Sequence, residues 1–448
     1  MSNSIETLTH ALLDAATRAG ADAADALVTR GASLAIDVRG GALEQAERAE
    51  WIDLGLRVMV GRRQACVSSS DTRPETLAEM ATRAVAMARE APEDASVGLA
   101  DPDQLAHDVD ISALELHDPA PEPAPAALEN DARCAEAGAR ANPAISQVQS
   151  ASAGYTRRAL HLAASNGFSG GYERTERSVS CVAITGNGTG MERDWCAETR
   201  TFQSDLPDPH EVGRLAAERA VARAGARRPA TGAFPVLYDE RVASSLIGHL
   251  LAAINGQAIM RGASWARNLM GEQVLPETLS LIEEPHRPRI GGSRPFDGEG
   301  LPTTRRAWVR DGILQGWVLD LATGRKLGME STANAARGTS APPSPAAGNV
   351  TLTPGEHTRE ALLAQMGTGL WVTSLIGSTI NPNTGDYSRG AAGFWVENGE
   401  VAYPVNECTI AGHLPEMLRR ILPADDARDH LSRRVPSLLV EGLTIAGE

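Results

Sequence analysis

Apolar residues recur at every third or fourth position over residues 5–19, which predicts an amphipathic helix at the start of the chain. Over 26–70 the rhythm changes to alternation, and the run LVTRGASLAIDVRGGALEQAERAEWIDLGLRVMVGRRQACVSSS is broken by RGG and VGRR. That pattern predicts an antiparallel meander. A second helix is expected over Pro74–Glu90, capped by Asp71 or Thr72, with the proline in its first turn. The stretch 91–127, which contains PAPEPAPA, reads as a linker or surface excursion.

The plan then recurs. A helix over 126–141 precedes strands at 145–152, 157–165, 177–185 and 191–203, and another helix covers 210–224. Asn166-Gly167 and the GNGTG run at 186–190 read as hairpin turns, since no helix follows the glycines as a phosphate loop would require. Residues 1–228 therefore form an N-terminal α+β domain, with possible sub-units 1–90 and 126–228 joined by a linker at 91–125. Residues 229–448 form a second domain. It opens with an apolar run at 234–238 and one helix over 239–260, then continues as short strands separated by Gly, Pro and Asn turns. The expected fold class is α+β: a helix and antiparallel-meander domain followed by a β-rich domain, a curled sheet or open barrel with one helix packed on it.

Composition narrows the function. A formal charge of −15 and a pI near 5.2 argue against a nucleic-acid backbone or an anionic membrane as the main partner. The N-terminus has neither a basic n-region nor a sustained apolar core, and no window has the apolar length of a membrane span. Cys66, Cys134, Cys181, Cys196 and Cys408 are widely spaced and form no CxxC pair, which suits free thiols in a reducing cytoplasm, the expected location.

Four stretches of the second domain are too particular to be generic: GEQV at 271–274, FDGEGLPT at 296–303, GRKLGMESTANAAR at 324–337 and GDYSRGAAGFWVENGEVAYPVNECTIA at 385–411. Together they resemble the TldD/PmbA family of bacterial peptidases, also labelled peptidase U62-like and modulator of DNA gyrase. The SRGAAGFWVENGEVAYPV run looks most like its PmbA, or TldE, branch. The TldD branch carries HExxxH on the helix of the second domain and a cysteine near the C-terminus, which bind zinc. Counting back from GEQV, the two histidine positions fall on Ile247 and Ala252 and the glutamate on Gly248. The segment that should carry the cysteine is PADDARDHLSRRVP, and Cys408 lies in the strand before it. A catalytic zinc needs about three protein ligands and a base for its water, and all are lost together. The resemblance therefore implies a subunit without catalytic residues, metal or other cofactor of its own. Zinc is expected in a TldD-type partner, with which the chain forms a heterodimer acting on unstructured peptides. A homodimer is conceivable for the isolated chain.

His249 is the one histidine of the expected helix, either packed or facing a cleft. The residues proposed to line a peptide cleft are His249, Arg261, Ser264, Asn334, Asn381, Asp386, Ser388 and Arg389. Ser388-Arg389, with Asn381, Asn383 and Asp386 nearby, suit either holding a peptide backbone or carboxylate terminus or bracing a long loop through Asx turns. Asp297 and Glu299 read as an acid–base pair or as polar positions of a Gly-rich turn. Two further functions stand beside the subunit reading: a stand-alone hydrolase with an unrecognised site, and a non-enzymatic protein that binds peptide or another protein.

Overall fold

The computed structural model describes residues 4–107 and 110–447. α1 (Ile5–Arg18) leads into β1 (Ala23–Arg39), β2 (Ala42–Val60) and β3 (Arg63–Ser69), and α2 (Pro74–Glu90) follows. The plan repeats as α3 (Pro125–Arg140), β4 (Ile145–Ala164), β5 (Ser169–Thr185), β6 (Glu192–Arg200) and α4 (Pro209–Ala222). The two meanders share one sheet, ordered β3-β2-β1-β4-β5-β6, because β1 pairs antiparallel with β4 from Asp25↔Ala164 to Val38↔Ala151. Both hairpin turns between β4, β5 and β6 stand where the Asn-Gly pairs predict them.

Two local readings change. The strands expected at 145–152 and 157–165 are one, since the intervening residues keep pairing with both β1 and β5 and buried Tyr155 packs with Leu128 and Ala132 of α3. At α2 the cap position is held by Arg73 without a side-chain bond. Asp71 stands behind it and accepts from the Arg73 amide at 3.0 Å and the Thr76 hydroxyl at 2.8 Å.

The alternation of β1 sends its side chains to two different cores. Ala24, Ala26 and Val28 join Leu54, Leu56 and Val58 under the apolar stripes of α1 and α2. Leu27 points the other way, into a cluster with Leu162, Phe168, Phe296, Leu301 and Leu321, so this face of the sheet packs on the second half of the chain. Ala100 and Leu105, from the proline-rich stretch, belong to the same cluster. That stretch is fixed between sheet and second half, not held as a loose tether.

The second half opens with β7 (Gly232–Tyr238), α5 (Glu240–Ala253) and α6 (Gly256–Met260). The single helix expected over 239–260 is broken because Asn255 caps a new one, accepting from the Gln257 amide at 3.0 Å. After β8 (Leu281–Glu283), β9 (Arg306–Arg310), β10 (Ile313–Leu314), α7 (Leu321–Leu327), β11 (Ala335–Ala336), β12 (Ser344–Pro345), β13 (Val350–Leu352) and α8 (Arg359–Met366) come three long strands. These are β14 (Gly369–Ile380), β15 (Asp386–Glu397) and β16 (Glu400–His413). α9 (Leu414–Leu418), β17 (Leu422–Pro423), β18 (Arg433–Arg434) and β19 (Leu438–Ala446) complete the chain.

The order β16-β15-β14-β7-β19 closes on itself through β16–β19 pairing, Thr409↔Ala446 to Ala411↔Thr444. The β-rich part is therefore a closed barrel, which leaves those edges no free hydrogen-bonding groups. β19 bends into place at a bulge between Val440 and Leu443, where Gly442 takes φ +73°, a conformation that costs other residues more. Ala243, Leu246, Ile247 and Leu250 of α5 are buried against Val236, Tyr238 and Val372 of the barrel, in the same core as Trp308 and Val350 of the smaller sheet β10-β9-β8-β13-β18.

Candidate functional site at the barrel helix

Asp239 starts α5 by accepting from the Arg241 amide, and the apolar stripe of the helix is consumed by the barrel core. What remains outside that stripe is the site. Ile247, at the first expected histidine position, is fully buried, whereas Ala252, at the second, is exposed. At Gly248, the glutamate position, a Cβ would stand 2.9 Å from Nη1 of Arg433, so a guanidinium lies over the helix where the base of a metal site would be. These residues offer no donor to zinc, and among the described residues no three His, Cys, Asp or Glu side chains gather as ligands.

His249 is half-buried. Its ring meets Tyr387 edge-on with centroids 5.9 Å apart, and its Nε2 is buried without a hydrogen-bond partner among the described residues. Burial, then the charges of Arg389 and Arg433, push the imidazole below its usual range, so the ring is neutral at pH 7. The Tyr387 hydroxyl in turn accepts from Tyr238 at 3.4 Å inside the barrel. Strand alternation sets Tyr387 and Arg389 on the face of β15 toward His249 and turns Ser388 to the opposite face. The Ser388-Arg389 pair therefore does not act on one point. Arg389 Nε donates to the Gly377 carbonyl at 2.7 Å across the β14–β15 hairpin.

The other sequence candidates occupy three places. Asn381 and Asp386 are exposed at the hairpin tip, where Asn381 Oδ1 accepts from the Asn383 amide at 3.0 Å and Asp386 from the Thr384 hydroxyl at 2.6 Å. They brace the turn. Arg261 is exposed at the end of α6, and Ser264 beside it is buried, donating to the Ala253 carbonyl at 2.5 Å and so tying off α5. Asn334 lies apart, buried, with its amide on Glu283 at 2.9 and 3.0 Å. At α5 the candidates brought together are His249 and Arg389, and Arg433 and Tyr387 complete that cluster. Arg433 sits in the SRRVP run, which carried no motif.

Asp297 and Glu299 do not face water. Asp297 Oδ1 accepts from the amides of Glu299 and Leu301 and Oδ2 from that of Ala335, so it braces the turn; Glu299 accepts from the Leu321 amide at the start of α7. Burial, reinforced by the charge of Asp297, raises Glu299 to about 8, and burial also raises Asp297 against its three amide donors. Beside them Asp25 of β1 takes a bond from Arg57 Nε at 2.8 Å and pairs with Arg337, which ends the GRKLGMESTANAAR stretch. Burial pushes the Asp25 carboxyl up, but Arg337 and Arg57 outweigh it and hold it below the ordinary carboxylate range.

Sheet, closed barrel and helix, with the motifs they carry, make this a metallopeptidase-like protein of two packed halves. The chain belongs to the PmbA/TldD metallopeptidase family: residues 24–88, 68–224 and 231–447 match the models of PmbA/TldA metallopeptidase domain 1, central domain and C-terminal domain. It is 35% identical over 428 residues to the metalloprotease PmbA of Escherichia coli O157:H7, covering 95% of this chain and 93% of that one. A Bacteroides thetaiotaomicron structure named as a candidate modulator of DNA gyrase superposes with TM-score 0.88 at 26% identity, covering 98% of both chains. TldE from Thermococcus kodakarensis has the same fold, with TM-score 0.83 at 18% identity over 98% of this chain and 99% of its own. No helix among the described residues is long and apolar enough to cross a membrane.

Proposed function

We propose that this chain is the TldE-type subunit of a two-chain cytoplasmic peptidase: it binds no zinc and supplies one wall of a peptide cleft, while a TldD-type partner holds the metal and cleaves. The observation that carries this reading is the state of α5. The two imidazole positions hold a buried isoleucine and an exposed alanine, and Arg433 lies over Gly248 in place of a carboxylate. A guanidinium there repels a divalent cation and suits a peptide carbonyl or carboxylate instead. The kinship to a PmbA and to a TldE supports the pairing.

Metal analysis of the purified chain and a cleavage assay on an unstructured peptide, each with and without a TldD chain, test the reading. The expected result is less than about 0.1 zinc per chain, no cleavage alone, and a complex that cleaves. Stoichiometric zinc with cleavage by this chain alone would overturn it. The stand-alone hydrolase reading through His249 has little to stand on: the neutral ring faces Tyr387, and the nearest serine in the motif, Ser388, is on the other face of its strand. A non-enzymatic peptide binder would show itself as a chain that captures peptide but gains no activity with any TldD partner.

A further inference from the structure

The two halves enclose a cavity of about 650 Å³ between the sheet face bearing Leu27 and Thr29 and the second half of the chain, a volume typical of small-ligand sites. No residue of α5 lines it. Leu27, Leu160, Leu162 and Tyr172 of the sheet and Phe296 of the second half make part of the lining apolar. Arg158 and Arg174 on the same sheet face, with Arg294 and Arg337 from the second half, make the rest basic, in a chain whose net charge is −15.

The local charges do not cancel. Against these four arginines the lining sets Glu176, exposed on the sheet face, and Asp297, which is consumed by three backbone amides, while Asp25 behind them is shared between Arg57 and Arg337. Glu299 is held in its protonated form at neutral pH, so it neutralises none of them. Arg337 has a side chain 2% exposed, and its Nε and Nη2, like Nε of Arg294, are buried without a hydrogen-bond partner among the described residues. Buried guanidinium N–H groups left unpaired are costly, and native proteins rarely keep them without a ligand or ion. Arg174 spends its donors on the carbonyls of Gly291 and Ser293, which fixes it at the cavity rim, whereas Arg158 is exposed and forms no hydrogen bond or ion pair among the described residues.

We propose that this cavity binds a carboxylate carried on an apolar body, with the carboxylate against Arg337, Arg294 and Arg158 and the apolar part against Leu160, Leu162 and Phe296. A planar carboxylate matches the guanidinium fork, and the apolar wall selects against small hydrophilic anions. Such a group occurs both in free medium-chain or aromatic acids and at the C-terminus of a peptide ending in a large apolar residue. The segment that lines the cavity with His430, Leu431 and Ser432 continues directly into Arg433 above α5, so a peptide end held here lies next to the proposed cleft.

Calorimetric titration of the isolated full chain tests this. The probes are decanoate against decanol, and acetyl-Ala-Leu-Phe with a free carboxylate against its C-terminal amide. The expected result is that at least one acid binds at one per chain and about ten-fold or more tightly than its neutral twin. Decanoate alone points to a free acid as the natural ligand, and the peptide acid alone to a peptide terminus. Arg337→Met should weaken the acid at least about ten-fold; because it also disturbs Asp25, the exposed Arg158→Gln, expected to lose a few-fold without a change in unfolding midpoint, is the second variant. No binding of either acid up to about 1 mM, equal affinity for acid and neutral twin, or indifference to both substitutions overturns the proposal. No TldD chain is present, so the outcome is separate from that of the pairing experiment.

Discussion

Replacing Asp25 by alanine removes the one carboxylate that two buried guanidinium groups share. The side chains of Asp25, Arg57 and Arg337 are 3%, 5% and 2% exposed, so water cannot take the place of the lost partner. Breaking such a pair costs about 3–5 kcal/mol, most of it the penalty of leaving charge buried, and here two like charges are left facing each other. Set against a typical stability of about 5–15 kcal/mol, that is a large fraction. Because Asp25 and Arg57 belong to the sheet and Arg337 to the second half, the loss should loosen the contact between halves first. Urea unfolding followed by tryptophan fluorescence, with hydrogen exchange at β1, reads both effects. The triple change Asp25→Leu, Arg57→Met, Arg337→Met removes the charges together and should land within about 1 kcal/mol of the parent, because the desolvation penalty disappears with them. The pH dependence has a definite sign. The folded Asp25 carboxyl is held below its unfolded value, so its contribution is complete above about pH 4 and disappears as pH falls through the folded value. The gap between parent and Asp25→Ala should narrow on acidification. A loss under about 1 kcal/mol at pH 7, or a gap that widens in acid, would refute the argument.

Glu299 works in the opposite direction: its folded value lies near 8, so its contribution is full below the unfolded value of about 4.3 and is lost as pH rises toward 8. Glu299→Gln, which can still accept from the Leu321 amide, should be more stable than the parent at pH 8 but not at pH 5; parallel unfolding midpoints across that range would contradict it. Gly248→Ala sets a methyl against the end of the flexible, exposed Arg433 side chain, so the gain in helix propensity, about 1 kcal/mol, should prevail and the midpoint should rise. A clear fall would mean that Arg433 is held firmly in place. Gly213→Ala should do the reverse, because its Cβ would run into the backbone carbonyl of Ala135 where α3 and α4 cross; a loss of about 1–3 kcal/mol is expected, and a neutral result would show that the helices can part freely.

How much of this was legible in the sequence depended on the range of the interaction involved. Period and punctuation are local, so the meander over 26–70 and the helices over 5–19, Pro74–Glu90, 126–141 and 210–224 could be placed to within a few residues. The merging of two meanders through β1 and β4 could not be, because no local pattern reports which edge strand pairs with which. Barrel closure depends in the same way on the β16–β19 pairing, Thr409↔Ala446 to Ala411↔Thr444, of segments far apart in the chain. At the site, His249 and Arg389 were found because each sits in a patterned stretch. Arg433 lies outside every motif, and the burial of Asp297 and Glu299, read as an acid–base pair or as polar turn positions, could not be seen, because burial is a property of what packs over them: Phe296 and Leu301 on one side, the sheet on the other.

The same contrast bears on why this chain keeps α5. The helix spends Ala243, Leu246, Ile247 and Leu250 on the barrel core, which would hold it in place whether or not it did chemistry. Its outer face carries Gly248 and Ala252, both small. Yet the residues around it are not inert: Arg389 and Arg433 converge on His249 with no carboxylate among the groups that shift its titration. An unopposed positive field beside a neutral imidazole adds nothing to folding and works against it through repulsion. Such a field suits the anionic or carbonyl-bearing segment that the proposed cleft would receive.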